Sequence, residues 1–86
     1  MKIIDPKKYN LSSRVILKES SNGQIFLIIN RKSRIIMKDG NRILDIIQKI
    51  KTIEKDKKTS VLTSAPVCSK TRQFLNKNKV EIQKLI

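Results

Sequence analysis

Five consecutive apolar residues, Ile25-Phe26-Leu27-Ile28-Ile29, limit the architecture of this chain more than any other segment. A strand with one buried face alternates apolar and polar side chains, whereas a run without alternation needs cover on both faces and belongs in the middle of a sheet. Asn22-Gly23 stands just before the run, and this pair favours the two positive φ angles of a tight hairpin turn. We therefore predict a central strand over residues 24–30, entered through a hairpin from a strand over residues 14–18.

The flanking segments predict another strand and a long helix. Residues 1–12 carry several lysines and predict an irregular or partly ordered lead-in. A polar turn at 30–33 leads to a third strand at 34–38, and Asp39-Gly40-Asn41 then offers helix-capping side chains. Isoleucine and leucine recur at helical spacing over about residues 41–55, which predicts an amphipathic helix.

Two more strands and one helix complete the expected fold. A short run at 60–63 predicts a buried strand, residues 64–68 turn the chain into a second helix that ends at about Asn78, and Val80 to Ile86 predicts a last strand. The crossover through the long helix is expected to be right-handed, so the strands that it joins are parallel. The prediction is a single domain over residues 1–86 of the mixed α/β class, in which N-terminal hairpins precede a β-α-β-α-β unit, with about five strands and two helices.

Length and composition set the class of molecule. A chain of 86 residues has room for one domain with a thin core, because a domain of this size buries only about 60% of the surface of its unfolded chain. Cys68 is the single cysteine, which excludes an intramolecular disulfide and indicates a reducing compartment. No apolar stretch approaches the roughly 20 residues of a membrane span, so we expect a cytoplasmic protein without a membrane partner. No motif predicts a cofactor.

The net charge of +13 indicates an anionic partner. Twenty Lys and Arg side chains stand against seven Asp and Glu side chains, and an excess of this size is typical of proteins that bind nucleic acid or another polyanion. Fifteen of the twenty are lysines and isoleucine is equally frequent, a pairing that AT-rich codon usage also produces. Codon bias is therefore an alternative source for part of the charge.

The basic residues near the predicted hairpins form the first candidate site. By the two-residue period of a strand, Arg14 shares a face with Lys18, and Arg34 shares a face with Lys38. If these faces coincide, cationic side chains stand in rows over the sheet and contact phosphates. The candidate nucleic-acid-binding residues are Arg14, Lys18, Arg31, Lys32, Arg34 and Lys38. The alternative is that these charges mark strand ends and discourage edge-to-edge pairing. Only three residues are aromatic, which favours contact with the backbone of a duplex or structured RNA over base stacking.

The loops after the predicted parallel strands form the second candidate site, because ligands of open α/β sheets gather at the carboxyl ends of strands. Free backbone N–H groups, hydroxyls and a lysine suit a phosphate or carboxylate there. The candidate anion-binding residues are Asp39, Gly40, Ser64, Ser69 and Lys70. Neither loop has the glycine pattern of a P-loop, and the alternative role of Ser64 and Ser69 is helix capping.

Cys68 is the third candidate, and the one weak candidate for a catalytic residue. At the start of a helix beside Lys70 and Arg72, its thiolate would be favoured by the helix dipole and the cations. The stretch from Ser64 to Leu75 is loosely similar, over about twelve residues, to the redox turn of a glutaredoxin, where a strand enters a helix through a cysteine. A second cysteine is lacking here. The alternative is a small buried thiol.

Other enzyme chemistries find little support in the sequence. The chain has no histidine, the commonest general base. Asp39 and Glu81 form the only acidic pair that we consider for magnesium, nothing in the local pattern singles them out, and no metal site is predicted.

Three functions follow, in order of preference. The first is a non-catalytic, nucleic-acid-binding or nucleic-acid-associated small basic protein. The second is a protein-interaction subunit whose exposed last strand pairs with a partner or with a second copy of the chain, as a homodimer through the sheet edge. The third is a thiol enzyme or ligand-binding protein centred on Cys68.

Overall fold

The sheet keeps its five strands in the order in which they occur along the chain. The computed structural model describes residues 1–85, so Ile86 of the predicted last strand lies outside the described residues. The elements are β1 (Lys2–Ile4), a 3₁₀ helix (Pro6–Tyr9), β2 (Ile16–Glu19), β3 (Ile25–Ile29), α1 (Met37–Ile53), β4 (Thr59–Thr63), α2 (Ser69–Lys77) and β5 (Glu81–Lys84). The pairs β1–β2 and β2–β3 are antiparallel, and the pairs β3–β4 and β4–β5 are parallel. The predicted class, with a mixed sheet of five strands and two helices, is confirmed.

β3 occupies the centre of the sheet because its side chains are apolar on both faces. Ile25 and Leu27 belong to the core beneath the helices, whereas Phe26, between them, is buried on the opposite face. Phe26 pairs with Lys18 of β2 on one side and with Ser60 of β4 on the other. The prediction of a central strand is confirmed.

Both helices pack on the same face of the sheet. They share one core cluster with the strands, and its buried members include Leu17, Leu27, Ile43, Ile47, Ile50, Val61 and Leu75. Each such side chain contributes roughly 1.5–3 kcal/mol on burial, so this single layer is the main source of stability. In the described part of the chain no helix covers the other face, where Ile3 and Ile16 are exposed.

The N-terminal segment contains β1 and the 3₁₀ helix, so residues 1–12 are more ordered than the irregular or partly ordered lead-in that the sequence predicts. Ile3 of β1 pairs with Lys18 of β2, and Tyr9 is buried with 1% of its surface exposed. The hydroxyl of Tyr9 donates a hydrogen bond to Oε2 of Glu54 at 3.0 Å. Burial, together with this carboxylate, raises the pKa of Tyr9 to about 12. Burial of Tyr9 and the strand pairing of Ile3 and Ile4 therefore order this segment despite its lysines.

The third predicted strand, over residues 34–38, is wrong, because this segment contains the start of α1. The side chain of Asp39 accepts a hydrogen bond from the backbone N–H of Ile36 at 3.0 Å. The helix therefore begins at Met37, with Asp39 inside its first turn, and ends at Ile53. β1 takes the place of the missing strand, which is why the number of strands is still five.

The turn between β2 and β3 is longer than Asn22-Gly23 predicts. Gly23 has a φ of +86°, whereas Asn22 has no positive φ. The N–H of Ser20 donates to the carbonyl of Gln24 at 2.9 Å, and the N–H of Gly23 donates to the carbonyl of Ser20 at 3.0 Å. One glycine in the left-handed region therefore closes the turn, where the two-residue form would need two positive φ angles.

Gly40 allows α1 to approach α2. A Cβ atom at this position would lie 2.8 Å from Cγ2 of Thr71 and 3.5 Å from Cδ2 of Phe74. Thr71 is completely buried, so its methyl group has little room to move aside. The expectation that Gly40 belongs to an anion-binding loop is therefore corrected, because this glycine is buried inside a helix and serves packing.

Gly40→Ala is expected to destabilise the fold by about 1 kcal/mol. Overpacking costs roughly 1–3 kcal/mol, and the better helix propensity of alanine offsets about 1 kcal/mol of it. Urea denaturation measures the change in the free energy of unfolding. Gln48→Ala, at an exposed position of α1, is the control and should change stability little. Wild-type or higher stability for Gly40→Ala would show that the two helices do not meet at this residue.

Candidate nucleic-acid interface

The loops that follow β3 and β4 lie side by side at the carboxyl ends of the parallel strands. A β-bridge joins them: the N–H of Ile35 donates to the carbonyl of Pro66 at 2.8 Å, and the N–H of Cys68 donates to the carbonyl of Ile35 at 2.9 Å. We call residues 30–36 and 64–68 together the loop edge. Two loops do meet at the carboxyl ends of parallel strands, but the first of them follows β3, because the loop expected around Asp39 and Gly40 is part of α1.

Arg31 holds the first loop in place. Its Nη2 atom donates to Oδ2 of Asp39 at 2.7 Å. The guanidinium group also donates to the carbonyl oxygens of Ser33 and Arg34, at 3.3 and 3.2 Å. The N–H of Ile36 and the Arg31 side chain both lower the pKa of Asp39, so this carboxylate is ionised at neutral pH. Arg31 therefore positions the loop as well as carrying charge.

A cleft of about 220 Å³ opens between the start of β2, the end of β3 and the first turns of α1. Three arginines line it, Arg14, Arg31 and Arg42, and Asp39 is the one carboxylate in its lining. The rest of the lining is aliphatic, mainly isoleucine. We call this the arginine cleft.

Sequence reasoning missed Arg42 as a site residue. Arg42 follows Asp39 by three residues, a spacing that places two side chains on neighbouring positions of one helix face. The predicted helix began after Asp39, so the two residues were assigned to different elements. The spacing was visible in the sequence, but it places both side chains on one helix face only because α1 begins at Met37 and therefore contains both residues.

Five of the six predicted nucleic-acid-binding residues lie at or beside the loop edge, and they are Arg14, Arg31, Lys32, Arg34 and Lys38. The expected rows of cations over a sheet surface do not form, because Arg34 lies in a loop and Lys38 in α1. Lys18 is the exception. It lies on β2 and lines a different trough, together with Met1 and Leu85. The role of these residues in binding stays a prediction.

Carboxylates pair with lysines at the opposite end of the sheet. Lys57 contacts Glu19 at 2.5 Å and Glu54 at 3.3 Å, and Lys58 contacts Glu81 at 2.8 Å. The hydrogen bond to Glu19 raises the pKa of Lys57, and the bond from Lys58 lowers the pKa of Glu81. These contacts pair two of the lysines at that end, Lys57 and Lys58, with carboxylates.

The predicted anion-binding residues have different surroundings. Ser64 donates from Oγ to Oδ1 of Asn30 at 2.7 Å and so ties the two loops together. Asp39 is occupied by Arg31, as described above. Ser69 and Lys70 are exposed at the start of α2, and anion binding by these two residues stays a prediction.

The acidic pair considered for magnesium is separated by the fold. Asp39 lies beside the loop edge, whereas Glu81 begins β5 at the other end of the sheet. Within residues 1–85, no group of three or more His, Cys, Asp or Glu side chains is placed to hold a metal ion. The described residues also contain no helix of the length and apolar character that crossing a membrane requires.

Cys68 lies immediately before α2 and is half-buried. Hydrogen bonds from the backbone N–H groups of Thr71 and Lys70 lower the pKa of its thiol, and the positive charge of Arg34 adds to the effect. The predicted place at a helix start is confirmed. The reactivity of the thiol stays a prediction.

We expect Cys68 to react with iodoacetamide at a lower pH than an ordinary cysteine. The thiolate is the reactive form, so a lowered pKa moves the rise in alkylation rate below the usual pH of about 8.5. Mass spectrometry of quenched samples measures the rate, and the urea-unfolded chain is the reference because its backbone N–H groups no longer converge on sulfur. Identical pH profiles for the folded and unfolded chains would contradict this expectation.

Solved structures of EndoMS and of a repair endonuclease share this fold. EndoMS in its apo form superposes with a TM-score of 0.66 at 18% identity, and it covers 81% of this chain. The EndoMS–dsDNA2 complex superposes with a TM-score of 0.67 at 18% identity and also covers 81% of this chain. A repair endonuclease from Pyrococcus abyssi superposes with a TM-score of 0.67 at 11% identity and covers 81% of this chain.

The similarity reaches only part of those proteins. The matches cover 33%, 29% and 31% of their chains, so this chain spans about a third of their length. No protein-family profile and no curated protein matches the sequence. At such low sequence identities the likeness shows a common fold and nothing further.

Proposed function

We propose that this chain binds nucleic acid through the phosphate backbone and does not itself catalyse a reaction. The observation that carries the proposal is the unequal distribution of ion pairs. Carboxylates neutralise lysines at one end of the sheet, whereas Arg31 is the one ion-paired cation of the loop edge in the described chain. The proposed phosphate contacts are Arg14, Lys32, Arg34, Lys38 and Arg42, and Arg31 holds the loop that carries two of them.

These cations come from three adjoining elements, which favours contact with several phosphates at once. Arg14 precedes β2, Lys32 and Arg34 belong to the loop, and Lys38 and Arg42 belong to the first turns of α1. All five of these side chains are exposed. Each phosphate neutralised on B-DNA adds about 0.9 to the slope of log affinity against log salt, so five contacts give a slope of about −4 to −5.

Contact with the backbone agrees with the environment of the aromatic residues. Tyr9 and Phe26 are buried, with 1% and 6% of their surfaces exposed. Phe74 is half-buried beside Gly40. Stacking of unpaired bases needs exposed aromatic faces, so a duplex or structured RNA is the favoured partner.

The structural comparisons support the same proposal from a second direction. One of the similar structures is EndoMS in a complex with dsDNA. We do not extend the nuclease activity to this chain, because Asp39, the carboxylate of the arginine cleft, already accepts hydrogen bonds from Arg31 and from the N–H of Ile36. We therefore propose binding without cleavage.

The affinity of the wild-type chain for a fluorescein-labelled 20-base-pair duplex should fall about 500-fold between 50 and 200 mM salt. The triple variant Lys32→Ala/Arg34→Ala/Lys38→Ala should bind more weakly and lower the slope by about three. Fluorescence anisotropy measures both quantities. The matched control is Lys51→Ala/Lys55→Ala/Lys77→Ala, which removes the same charge from exposed positions near the carboxyl ends of the two helices.

The two triple variants separate a site from a general charge effect. Equal weakening by both would contradict a site at the loop edge and assign the attraction to net charge alone. Absence of duplex binding at 50 mM salt would overturn the proposed function. Incubation of the duplex with the protein and Mg²⁺ tests the non-catalytic part, which cleavage products would overturn.

A further inference from the structure

The arginine cleft differs from the rest of the loop edge because it is concave and has an aliphatic floor. Its volume of about 220 Å³ is below the roughly 300–1,000 Å³ of sites for drug-sized ligands, so it suits one small group. A duplex lying over the loop edge can contact exposed cations on its surface, but only a projecting group can enter the cleft.

The charge of the cleft is concentrated on two guanidinium groups. Three arginines and one carboxylate line it, which leaves a net charge of +2. Asp39 and two carbonyl oxygens occupy Nη2 and Nε of Arg31. Arg14 and Arg42 are exposed and belong to no ion pair in the described chain. Their planar donor groups suit the oxygens of a phosphate, and the aliphatic walls strengthen the attraction by excluding water.

A net charge of +2 matches a terminal phosphate better than an internal one. A phosphomonoester carries about −1.5 to −2 at neutral pH, whereas each phosphodiester of a strand carries a single negative charge. An internal phosphate also needs room for the chain on both sides. A terminal phosphate needs one exit, so its attached sugar can rest on the isoleucine floor.

We infer that the arginine cleft binds a phosphomonoester, held between Arg14 and Arg42, as the phosphorylated end of a nucleic-acid strand or as a free nucleotide. The inference rests on the proposed nucleic-acid binding and deepens it, because it gives the loop edge a preference for strand ends. Arg31 and Asp39 position the cleft wall, and Lys32, Arg34 and Lys38 contact the backbone that leads away from the end.

The test compares 12-base-pair duplexes of one sequence whose strands carry a 5′-phosphate, a 3′-phosphate or only hydroxyl ends. At pH 7.5 one of the phosphorylated duplexes should bind about tenfold more tightly than the hydroxyl duplex in anisotropy competition. In Arg14→Ala/Arg42→Ala this ratio should fall to about one. Lys32→Ala/Arg34→Ala removes the same charge and should weaken binding of all the duplexes while preserving the ratio.

The pH dependence gives a second readout. The second ionisation of a phosphomonoester has a pKa of about 6, so the phosphate loses one negative charge between pH 7.5 and 5.5 and the preference should shrink. The charged groups of the cleft are Arg14, Arg31, Arg42 and Asp39. The arginines do not titrate in this range, and the lowered pKa of Asp39 keeps it ionised.

The outcomes separate this inference from the proposed function. Equal binding of phosphorylated and hydroxyl duplexes overturns the monoester site and leaves backbone binding intact. A preference that persists in Arg14→Ala/Arg42→Ala also overturns it. If none of the duplexes binds, the proposed function fails, and NMR titration with thymidine 5′-monophosphate then tests the cleft by itself. Changes in the backbone amide chemical shifts around Arg14 and Arg42 support a free-nucleotide site if thymidine without the phosphate does not cause them. If these changes are absent, the inference is overturned. Arg14→Lys/Arg42→Lys keeps the charge but removes the planar pair of guanidinium donors, so its preference for the phosphorylated end should lie between those of the wild type and the alanine variant.

Discussion

β3 pairs antiparallel with β2 on one side and parallel with β4 on the other, and the rest of the arrangement depends on this change of direction. An antiparallel pair needs only a turn, whereas a parallel pair needs a crossover. The hairpins therefore precede β3 and both helices follow it. The same geometry places the loops after β3 and β4 at one end of the strands, which is the loop edge, and the β2–β3 turn at the opposite end of the strands. Ligands of open sheets gather beyond the carboxyl ends of strands, so the loop edge is where a site is expected.

The charges follow this division of the sheet. The end with the β2–β3 turn holds Glu19, Glu54 and Glu81 in contact with lysines. The loop edge holds arginines and lysines around a single carboxylate, Asp39. Concentrated positive charge destabilises a compact state through self-repulsion, and the surrounding solvent and salt limit that cost at an exposed edge. The three ion-paired glutamates therefore lie at one end, whereas Lys32 and Arg34 of the loop edge form no ion pair in the described chain.

Sequence patterns predicted those parts of the fold that are decided locally. The unbroken apolar run gave β3 its central place, and helical spacing of isoleucine and leucine identified α1. Arg31 and Lys32 were correctly expected beyond the end of β3, because a polar segment that follows a buried strand has to leave the sheet. Local pattern also located Cys68 at a helix start.

The remaining features depend on contacts between distant residues. The two isoleucines of β1 show no alternation, and only pairing with β2 makes them a strand. Asp39 caps α1 from inside its first turn, so the helix begins before the segment that looked like its cap. This shift places Arg42 on the cleft. Lys18 shares a strand period with Arg14 but lines a different surface, because Arg14 precedes β2 and does not follow its pleat.

α1 is anchored at both ends, by Arg31 and Asp39 at its start and by Tyr9 and Glu54 at its finish. A wall fixed in this way is in position before any ligand arrives, so no segment of backbone has to fold when the cleft fills. The entropic penalty is then limited to ordering the side chains of Arg14 and Arg42, roughly 0.5–1.5 kcal/mol for each. Discrimination at such a preorganised surface comes from rigid shape and charge spacing, and a ligand of the wrong geometry cannot be accommodated by rearrangement of the helix.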